Sequence, residues 1–272
     1  MRGVLAGALL VVVFAAAGWG GSSLSGHASN GQAALPAAAA GAHFSVGATG
    51  GDGPTIKIVS GTPKVGHSAS PSALLGARAV AKLFKGIHQR GLVLGRPKAP
   101  VMLIEYIDLQ CPLCQEFETR DLAPLVKKYV RPGKLKITMQ PWSILDYGGG
   151  DDSLRGQKAT IAAARQNKAF NFAEVLFDNQ GVEGTGWMND AMISKIAASV
   201  DRLRPYKLAK DANGRATRRV IKSITHWAKT HPTQMTGTPT LYLVRGRGRP
   251  KYYGTGVPRL AKLEAAINAL LK

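Results

Sequence analysis

The only two cysteines of this 272-residue chain, Cys111 and Cys114, stand in one Cys-Pro-Leu-Cys motif. Thiols at this spacing can exchange a disulfide with another protein, hold zinc, form a structural disulfide or remain inert buried thiols. A framework of several disulfides is excluded, and closing so short a loop would restrain the unfolded chain by only about 2 kcal/mol. A zinc site needs further ligands, and the His-x4-His pair of His226 and His231 lies more than 100 residues away. The motif therefore favours redox chemistry over a structural or metal-binding role.

The position of the motif between two predicted elements determines what its thiols can do. The apolar, β-rich run Val101–Ile107 is typical of a buried strand, and the pattern of residues 112–130 predicts a helix that Pro112 begins. Cys111 then precedes the first helical N–H groups, which have no intrahelical partner and favour a thiolate. We expect its pKa to lie below the ordinary ~8.5, within roughly 3.5–7.5. Cys114, one turn further on, is expected to lie deeper and to attack a mixed disulfide from within.

Two further features of the sequence fit redox chemistry. Glu105 interrupts the apolar strand, where an isolated buried carboxylate is costly and is usually neutral or functional. It could take the proton from Cys114 when that thiol attacks; the alternative is an exposed edge strand with a solvated Glu105. Thr238 and Pro239 directly precede the predicted strand 240–244, and proline is permitted at the start of a strand.

The order of predicted elements indicates an α/β protein. Helical spacing covers most of the region from Asp151 to about His231, and strands lie on both sides of it. In chain order the predicted strands are 92–94, 101–107, 135–140, 240–244 and 251–253, and the helices that follow each half are 112–130 and 258–271. We therefore predict a thioredoxin-like fold with a helical insertion, at about residues 150–232, between its βαβ and ββα halves. Pro124 should kink or split the first helix.

The first 90 residues precede this predicted domain. Arg2, the apolar run Val4–Ala17 and the small residues after it are typical of a secretory signal or an uncleaved membrane anchor. No cysteine follows the run, which excludes a lipoprotein anchor. The predicted organisation is a signal or anchor at 1–20, a flexible Gly/Ala/Ser-rich tether at 21–70, an amphipathic helical arm at 71–90 and the folded domain at 91–272.

The net charge of +20, from 36 basic and 16 acidic residues, is compatible with a soluble basic surface or with adherence to an anionic cell envelope. The basic residues are spread along the chain, and no aromatic-studded basic motif accompanies them. Nucleic acid is therefore not an expected partner.

The segments Glu-Tyr-Ile-Asp-Leu-Gln-Cys-Pro-Leu-Cys (105–114) and Gly-Thr-Pro-Thr (237–240) resemble the DsbA family of thioredoxin-fold oxidoreductases, as does the entry segment 91–101. The resemblance implies that Cys111 is the nucleophile, Cys114 the resolving thiol and Glu105 a buried acid. It also implies that Thr238 and Pro239 form a cis-proline loop facing the disulfide, which would pair with an extended client. Pro112 and Leu113 complete the expected substrate-binding residues. DsbA carries histidine where this chain has Leu113, and leucine cannot donate a hydrogen bond to the thiolate.

The expected function is an exported protein-disulfide oxidoreductase at the periplasmic or outer face of the membrane, acting on reduced or unfolded exported proteins without cofactor or metal. By the same resemblance it would be reoxidised by a quinone-linked membrane partner of the DsbB or vitamin-K-epoxide-reductase kind. A reductase or isomerase in the same compartment is the alternative, because potentials in this fold span roughly −120 to −270 mV. A non-enzymatic metal-binding module is a more remote alternative.

Overall fold

A mixed sheet of six strands forms the centre of the computed structural model, which describes residues 53–70 and 73–272. In spatial order the strands run β1-β2-β4-β3-β5-β6. β3 is parallel to β4 and antiparallel to β5, so the strand that leads to Cys111 is paired on both edges. The strands are β1 (Gln89–Arg90), β2 (Val93–Leu94), β3 (Val101–Ile107), β4 (Leu135–Pro141), β5 (Thr240–Arg245) and β6 (Lys251–Thr255).

The helix after the Cys-x-x-Cys motif is continuous but changes its hydrogen bonding. It begins as α2 (Pro112–Phe117), widens to a π-helical turn (Glu118–Leu122), and continues through α3 (Ala123–Leu125) into a second π-helical turn (Val126–Val130). Pro124 lies between the two π turns, and the residues around it keep right-handed helical dihedrals. Of the predicted kink or split, the split does not occur. Pro124, which lacks an N–H, is flanked by wider turns in which the usual i→i−4 bonding is replaced.

The predicted fold class is confirmed, because β3, α2 and β4 form the βαβ half and β5, β6 and the last helix form the ββα half. A block of five helices separates the two halves, one more than the four predicted there. The additional helix is α7, which begins at Pro205, a residue that favours the first helical position. The remaining helices are α1 (Ala77–Phe84), α4 (Asp152–Ala164), α5 (Ala169–Phe177), α6 (Asp190–Ser199), α7 (Pro205–Ala212), α8 (Arg215–Thr230) and α9 (Leu260–Leu271).

Alternation along β3 divides the core into two layers. Leu103 and Ile107 belong to the large cluster that packs under α2 and α9, whereas Tyr106 belongs to a second cluster against α8. Successive side chains of a strand point to opposite faces. Glu105 therefore points, with Leu103 and Ile107, to the face of the sheet that α2 covers.

The segment before α1 contacts the helical insertion. Ile56 is buried, and its backbone N–H and carbonyl both bond to the side chain of Asn213. Gly66 donates to the carbonyl of Leu203. The second part of the predicted tether thus lies against the domain, because its backbone groups find partners there. The helical arm is shorter than predicted, since the chain joins the sheet as β1 at residue 89.

The predicted signal or anchor at 1–20 and the first part of the tether lie outside the described residues. None of the helices in the described part of the chain is both long and apolar enough to cross a membrane.

Candidate active site

Cys111 is the last residue of the loop that connects the central strand β3 to the helix α2. It is the N-cap residue of α2, with extended dihedrals (φ −71°, ψ 121°), and Pro112 follows in the first turn. Proline fits there because its missing N–H would have no intrahelical partner. Cys111 is 5% exposed and Cys114 is fully buried, and both are free thiols. The two sulfur atoms therefore differ in access, as attack and resolution require.

The pKa values of the two thiols are shifted in opposite directions. The pKa of Cys111 is lowered to about 7, chiefly by a hydrogen bond from the Cys114 thiol, with smaller help from Thr238 and the backbone N–H of Cys114 and against the effect of burial. The pKa of Cys114 is raised well above its ordinary value, first by burial and then by its interaction with Cys111. Near neutral pH Cys111 is therefore about half thiolate while Cys114 keeps its proton.

The loop before β5 lies against the attacking sulfur. The peptide bond between Thr238 and Pro239 is cis, and the Thr238 carbonyl oxygen lies 3.4 Å from the Sγ atom of Cys111. The Thr238 hydroxyl is buried and has no hydrogen-bond partner among the described residues. Thr240 holds the loop by donating to the carbonyl of Gly237. Of the other predicted substrate-binding residues, Pro112 is exposed and Leu113 is half-buried beside the cysteines.

Glu105 is fully buried on the central strand. Neither of its carboxyl oxygens has a hydrogen-bond partner in the described structure. Burial raises its pKa well above the ordinary value, with a further increase from Glu118. The alternative of a solvated carboxylate on an edge strand is wrong, because β3 is paired on both sides.

Two more buried carboxyl groups, which the sequence analysis missed, lie near Glu105. Burial raises the pKa of Glu118 well above its usual range and that of Glu174 to about 8, and each feels the charge of a neighbouring glutamate. None of the three forms an ion pair within the described residues. Both could have been recognised in the sequence. Glu118 is one helical turn after Cys114, and Glu174 is the sole charged residue of the apolar run Ala-Phe-Asn-Phe-Ala-Glu-Val-Leu-Phe.

A fourth buried carboxyl group, that of Asp108, shapes the loop that carries the nucleophile. One of its oxygens accepts from the backbone N–H of Gln110 (3.0 Å) and the hydroxyl of Ser153 (2.8 Å). The other accepts from the N–H groups of Ile144 (2.8 Å) and Leu145 (3.2 Å). Burial raises the pKa of Asp108 to about 6, although all four hydrogen bonds oppose that increase. This carboxylate therefore joins the Cys111 loop to the segment after β4 and to α4.

We expect Asp108→Asn to lower the pKa of Cys111 below about 7 and to destabilise the fold. The negative charge of Asp108 raises the pKa of Cys111, so its removal favours the thiolate. The amide must turn its NH₂ group toward a backbone N–H, which costs about 1–3 kcal/mol for the unsatisfied donor. Thiolate absorbance against pH and urea unfolding measure the two effects. Asp151→Asn, with the same charge change on a half-exposed side chain, is the control. A Cys111 pKa that stays constant or rises would contradict the assignment.

The structure gives the metal-binding alternative no support. Among the residues described, no three or more His, Cys, Asp and Glu side chains are grouped so that they could hold a metal ion. His231 stacks on Trp227 with ring centroids 4.0 Å apart, and its Nδ1 atom lies 2.9 Å from the Trp227 carbonyl oxygen. The pairing of His226 and His231 with the two cysteines is therefore not formed.

Comparisons with known proteins agree with this geometry. A family model described as thioredoxin matches residues 88–247. The chain is 23% identical over 162 residues to a probable disulfide bond formation protein D of Bacillus cereus, covering 58% of this chain and 72% of that protein. It is 23% identical over 119 residues to disulfide bond formation protein D of Bacillus subtilis, covering 44% and 53%.

Among solved structures, oxidised BdbD from Bacillus subtilis superposes with a TM-score of 0.56 at 19% identity, over 68% of this chain and 97% of that one. The α-DsbA1 protein of Wolbachia pipientis superposes with a TM-score of 0.55 at 22% identity, over 66% and 90%. At this identity the superpositions establish a common fold. The chain belongs to the thioredoxin family and has the architecture of its DsbA-type oxidoreductases.

Proposed function

We propose that this protein-disulfide oxidoreductase forms or exchanges disulfides in extracytoplasmic proteins, with Cys111 as the nucleophile and Cys114 as the resolving thiol. The observation that carries the proposal is the asymmetry of the two thiols. Cys111 is stabilised as a thiolate at a helix N-terminus, and Cys114 is buried and protonated behind it. A thiolate that is a good leaving group, next to a thiol that stays protonated until it reacts, suits exchange in either direction.

In the oxidising direction, a client thiolate attacks Sγ of Cys111 in the Cys111–Cys114 disulfide. Cys114 leaves with the electron pair and is protonated, and a mixed disulfide remains between Cys111 and the client. A second client thiolate attacks the client sulfur, so that Cys111 leaves as a thiolate and the client gains a disulfide. Two electrons pass to the two cysteines, and the reverse sequence reduces a client. Glu105, buried on the side of the sheet that α2 covers, is suited to hold the proton that Cys114 gains or loses.

The surface around Cys111 suits an extended client with apolar side chains. The Thr238 carbonyl, 3.4 Å from the sulfur, can accept a main-chain hydrogen bond from such a segment. Leu113 lies beside it, and two exposed side chains, Tyr147 and Val182, stand on the adjoining loops. Those loops are attached to the active site, since the side chain of Gln110 bonds to both. An extended segment fits this rim better than a folded surface does.

The relatives named disulfide bond formation proteins favour the oxidising direction. In that direction the cysteines must be reoxidised, for which a quinone-linked membrane thiol oxidase of the DsbB or vitamin-K-epoxide-reductase kind is the proposed partner. The apolar N-terminal run supports export, with residues 1–20 as a signal or anchor.

The reduction potential of the purified chain, equilibrated with glutathione, tests this direction. A potential near about −120 mV is that of a strong oxidant, whereas a value near about −270 mV belongs to a reductant. The more negative value would favour the second candidate, a reductase or isomerase, which the apolar Leu113 between the cysteines suggests.

Leu113→His should lower the pKa of Cys111 and make the pair more oxidising. An imidazolium at this half-buried position can donate a charge-assisted hydrogen bond to the thiolate, worth about 1.5–3 kcal/mol. Because the reduced form is stabilised, the potential should rise by roughly 30–65 mV. Leu113→Phe, which adds a ring without a donor, should leave the potential near that of the wild type. Equal shifts in both variants would show that packing, and not the hydrogen bond, controls the potential.

A further inference from the structure

The end of the central sheet farthest from Cys111 carries a dense group of basic residues. β3 and β4 both begin at this end, β5 finishes there and β6 starts there, as their registers require. The three segments that meet are 95–101, 131–136 and 244–251, and together they contain nine lysines and arginines and no acid. We call this surface the basic end. Its cations are Arg96, Lys98, Arg131, Lys134, Lys136, Arg245, Arg247, Arg249 and Lys251.

Strand pairing and hydrogen bonds hold these segments together. Val101 pairs with Leu135 on one side and with Arg245 on the other. Gly246 donates to the carbonyl of Pro100 (2.7 Å), and the ammonium group of Lys136 donates to that of Pro97 (3.0 Å). The basic residues of different strands are therefore neighbours on one surface.

These charges are available to a partner. Eight of the nine side chains are exposed, and Lys136 is half-buried. None of the nine is in an ion pair within the described structure, where the nearby acid Glu264 is paired with Lys128 at 2.8 Å. The turn Arg-Gly-Arg-Gly-Arg at 245–249 places three guanidinium groups on one protruding hairpin. Unneutralised like charges repel one another, so this surface is expected to attract anions.

Acidic residues, in contrast, lie near the active site. Asp108 and Asp146 bond to the loops around Cys111, and Glu116 and Glu183 stand on adjoining segments. The two ends are separated by the length of β3, roughly 20 Å at about 3.3 Å per residue. The charge distribution therefore distinguishes the end that reacts from the end that attracts anions, and the basic end does not serve clients bound at Cys111.

We propose that the basic end binds the anionic lipid headgroups of a membrane surface and holds the domain there with Cys111 directed away from the bilayer. The proposal rests on the extracytoplasmic location in the proposed function, where nucleic acid is not the expected polyanion. A membrane surface fits because the charges come from several strands and a protruding turn, and attraction to lipid needs charge density instead of a shaped groove. Electrostatic attachment is reversible, so the domain can also turn Cys111 toward a membrane partner.

Binding of the full chain to phosphatidylcholine vesicles with and without phosphatidylglycerol tests the proposal. Each basic residue near an anionic surface contributes roughly fivefold to partitioning. The triple variant Arg245→Gln, Arg247→Gln, Arg249→Gln should therefore bind anionic vesicles on the order of 100-fold more weakly at ~0.1 M salt. Wild-type binding should fall steeply toward ~1 M salt, where the screening length drops to ~3 Å.

The matched control is Lys57→Gln, Lys64→Gln, Lys210→Gln, which removes the same charge from exposed lysines on the side of the helical insertion. All these chains share one N-terminal segment, so its contribution cancels. The control should bind like the wild type, and Lys98→Gln with Lys134→Gln should weaken binding as the hairpin variant does. Equal losses in the hairpin and control variants, equal binding to neutral vesicles, or tighter binding to a single-stranded oligonucleotide through the same arginines would overturn the proposal. Disulfide exchange with a small peptide, measured in parallel, separates this outcome from failure of the proposed function.

Discussion

Replacing Cys111 with serine is expected to bring disulfide exchange down to the uncatalysed background, a loss on the order of 10³-fold or more. Serine keeps the size of the side chain but cannot form a thiolate or a disulfide, so the first covalent step is lost. Cys114 cannot replace it, because that sulfur is fully buried and its pKa is raised. Exchange with a fluorescent disulfide peptide measures the loss.

Cys114→Ala should have a different effect and trap clients as mixed disulfides. Cys111 remains reactive, but the thiol that would release the client intramolecularly is absent. The pKa of Cys111 should also rise, since the hydrogen bond from Cys114 is the largest cause of its lowering to about 7. The rate of Cys111 alkylation, which levels off above its pKa, should therefore reach its plateau at higher pH than in the wild type.

The roles of the two cysteines are checked by isolating covalent client adducts of the Cys114→Ala variant from cells. Reductant should cleave these mixed disulfides and release the clients. The double variant Cys111→Ser, Cys114→Ala is the matched control and should yield none. Adducts that persist in the double variant, or that form on Cys111→Ser instead, would show that the roles of the two cysteines are reversed or that the clients bind elsewhere.

The parts of this site that the sequence predicted are those determined by local pattern. Val101–Ile107 is a run that is apolar except at Glu105 and ends four residues before Cys111, and Pro112 indicates the first turn of a helix. Periodicity and a single proline suffice to place a thiol at a helix N-terminus. The interrupted apolar run likewise indicated that Glu105 is unusual, although only the pairing of β3 on both edges shows that it is buried.

The parts that sequence reasoning missed depend on contacts between distant residues. Asp108 bonds to Ser153, 45 residues later, and the pattern around Asp108 does not indicate that partner. Glu174 reaches the carboxyl group of Glu118 because α5 packs on the helix after the cysteines. The π turns around Pro124 are similar, since propensity predicts a break there, and packing of Phe117, Leu122 and Leu125 in the core keeps the helix continuous.

Glu105→Gln is expected to slow the step in which Cys114 attacks by about 10–100-fold, the low end of general-base effects. Glu105 points toward the α2 side of the sheet, where water is excluded, and its ionised form can accept the proton of the buried Cys114. Glutamine occupies the same space without a titratable proton. The pKa of Cys111 should barely change, because its lowering comes from Cys114, Thr238 and the backbone, and not from Glu105.

The pH dependence of stability gives a second readout with a defined sign. Because burial raises the pKa of Glu105 in the folded state, the folded chain holds a proton that the unfolded chain has released above about pH 4.3. The unfolded state then binds fewer protons, so stability falls as pH rises from there toward the folded pKa. Glutamine stays neutral at every pH, and the variant should be as stable as the wild type near pH 4 and equally or more stable at higher pH.

Rapid-mixing measurements of mixed-disulfide formation and release separate the two chemical steps, with thiolate absorbance followed against pH in the same protein. Glu116→Gln is the matched control, since Glu116 lies on α2, the helix that carries Cys114, with a half-exposed side chain, and its replacement should leave the resolution rate unchanged. A resolution rate that Glu105→Gln does not alter would mean that Cys114 loses its proton by another route, such as Glu118 one turn away. If the pKa of Cys111 moves by more than about one unit, the charge of Glu105 acts on the nucleophile Cys111 instead of on Cys114. Slow resolution with an unchanged nucleophile, together with stability that falls less with rising pH than in the wild type, is the combination expected of a buried proton acceptor on the α2 side of the sheet.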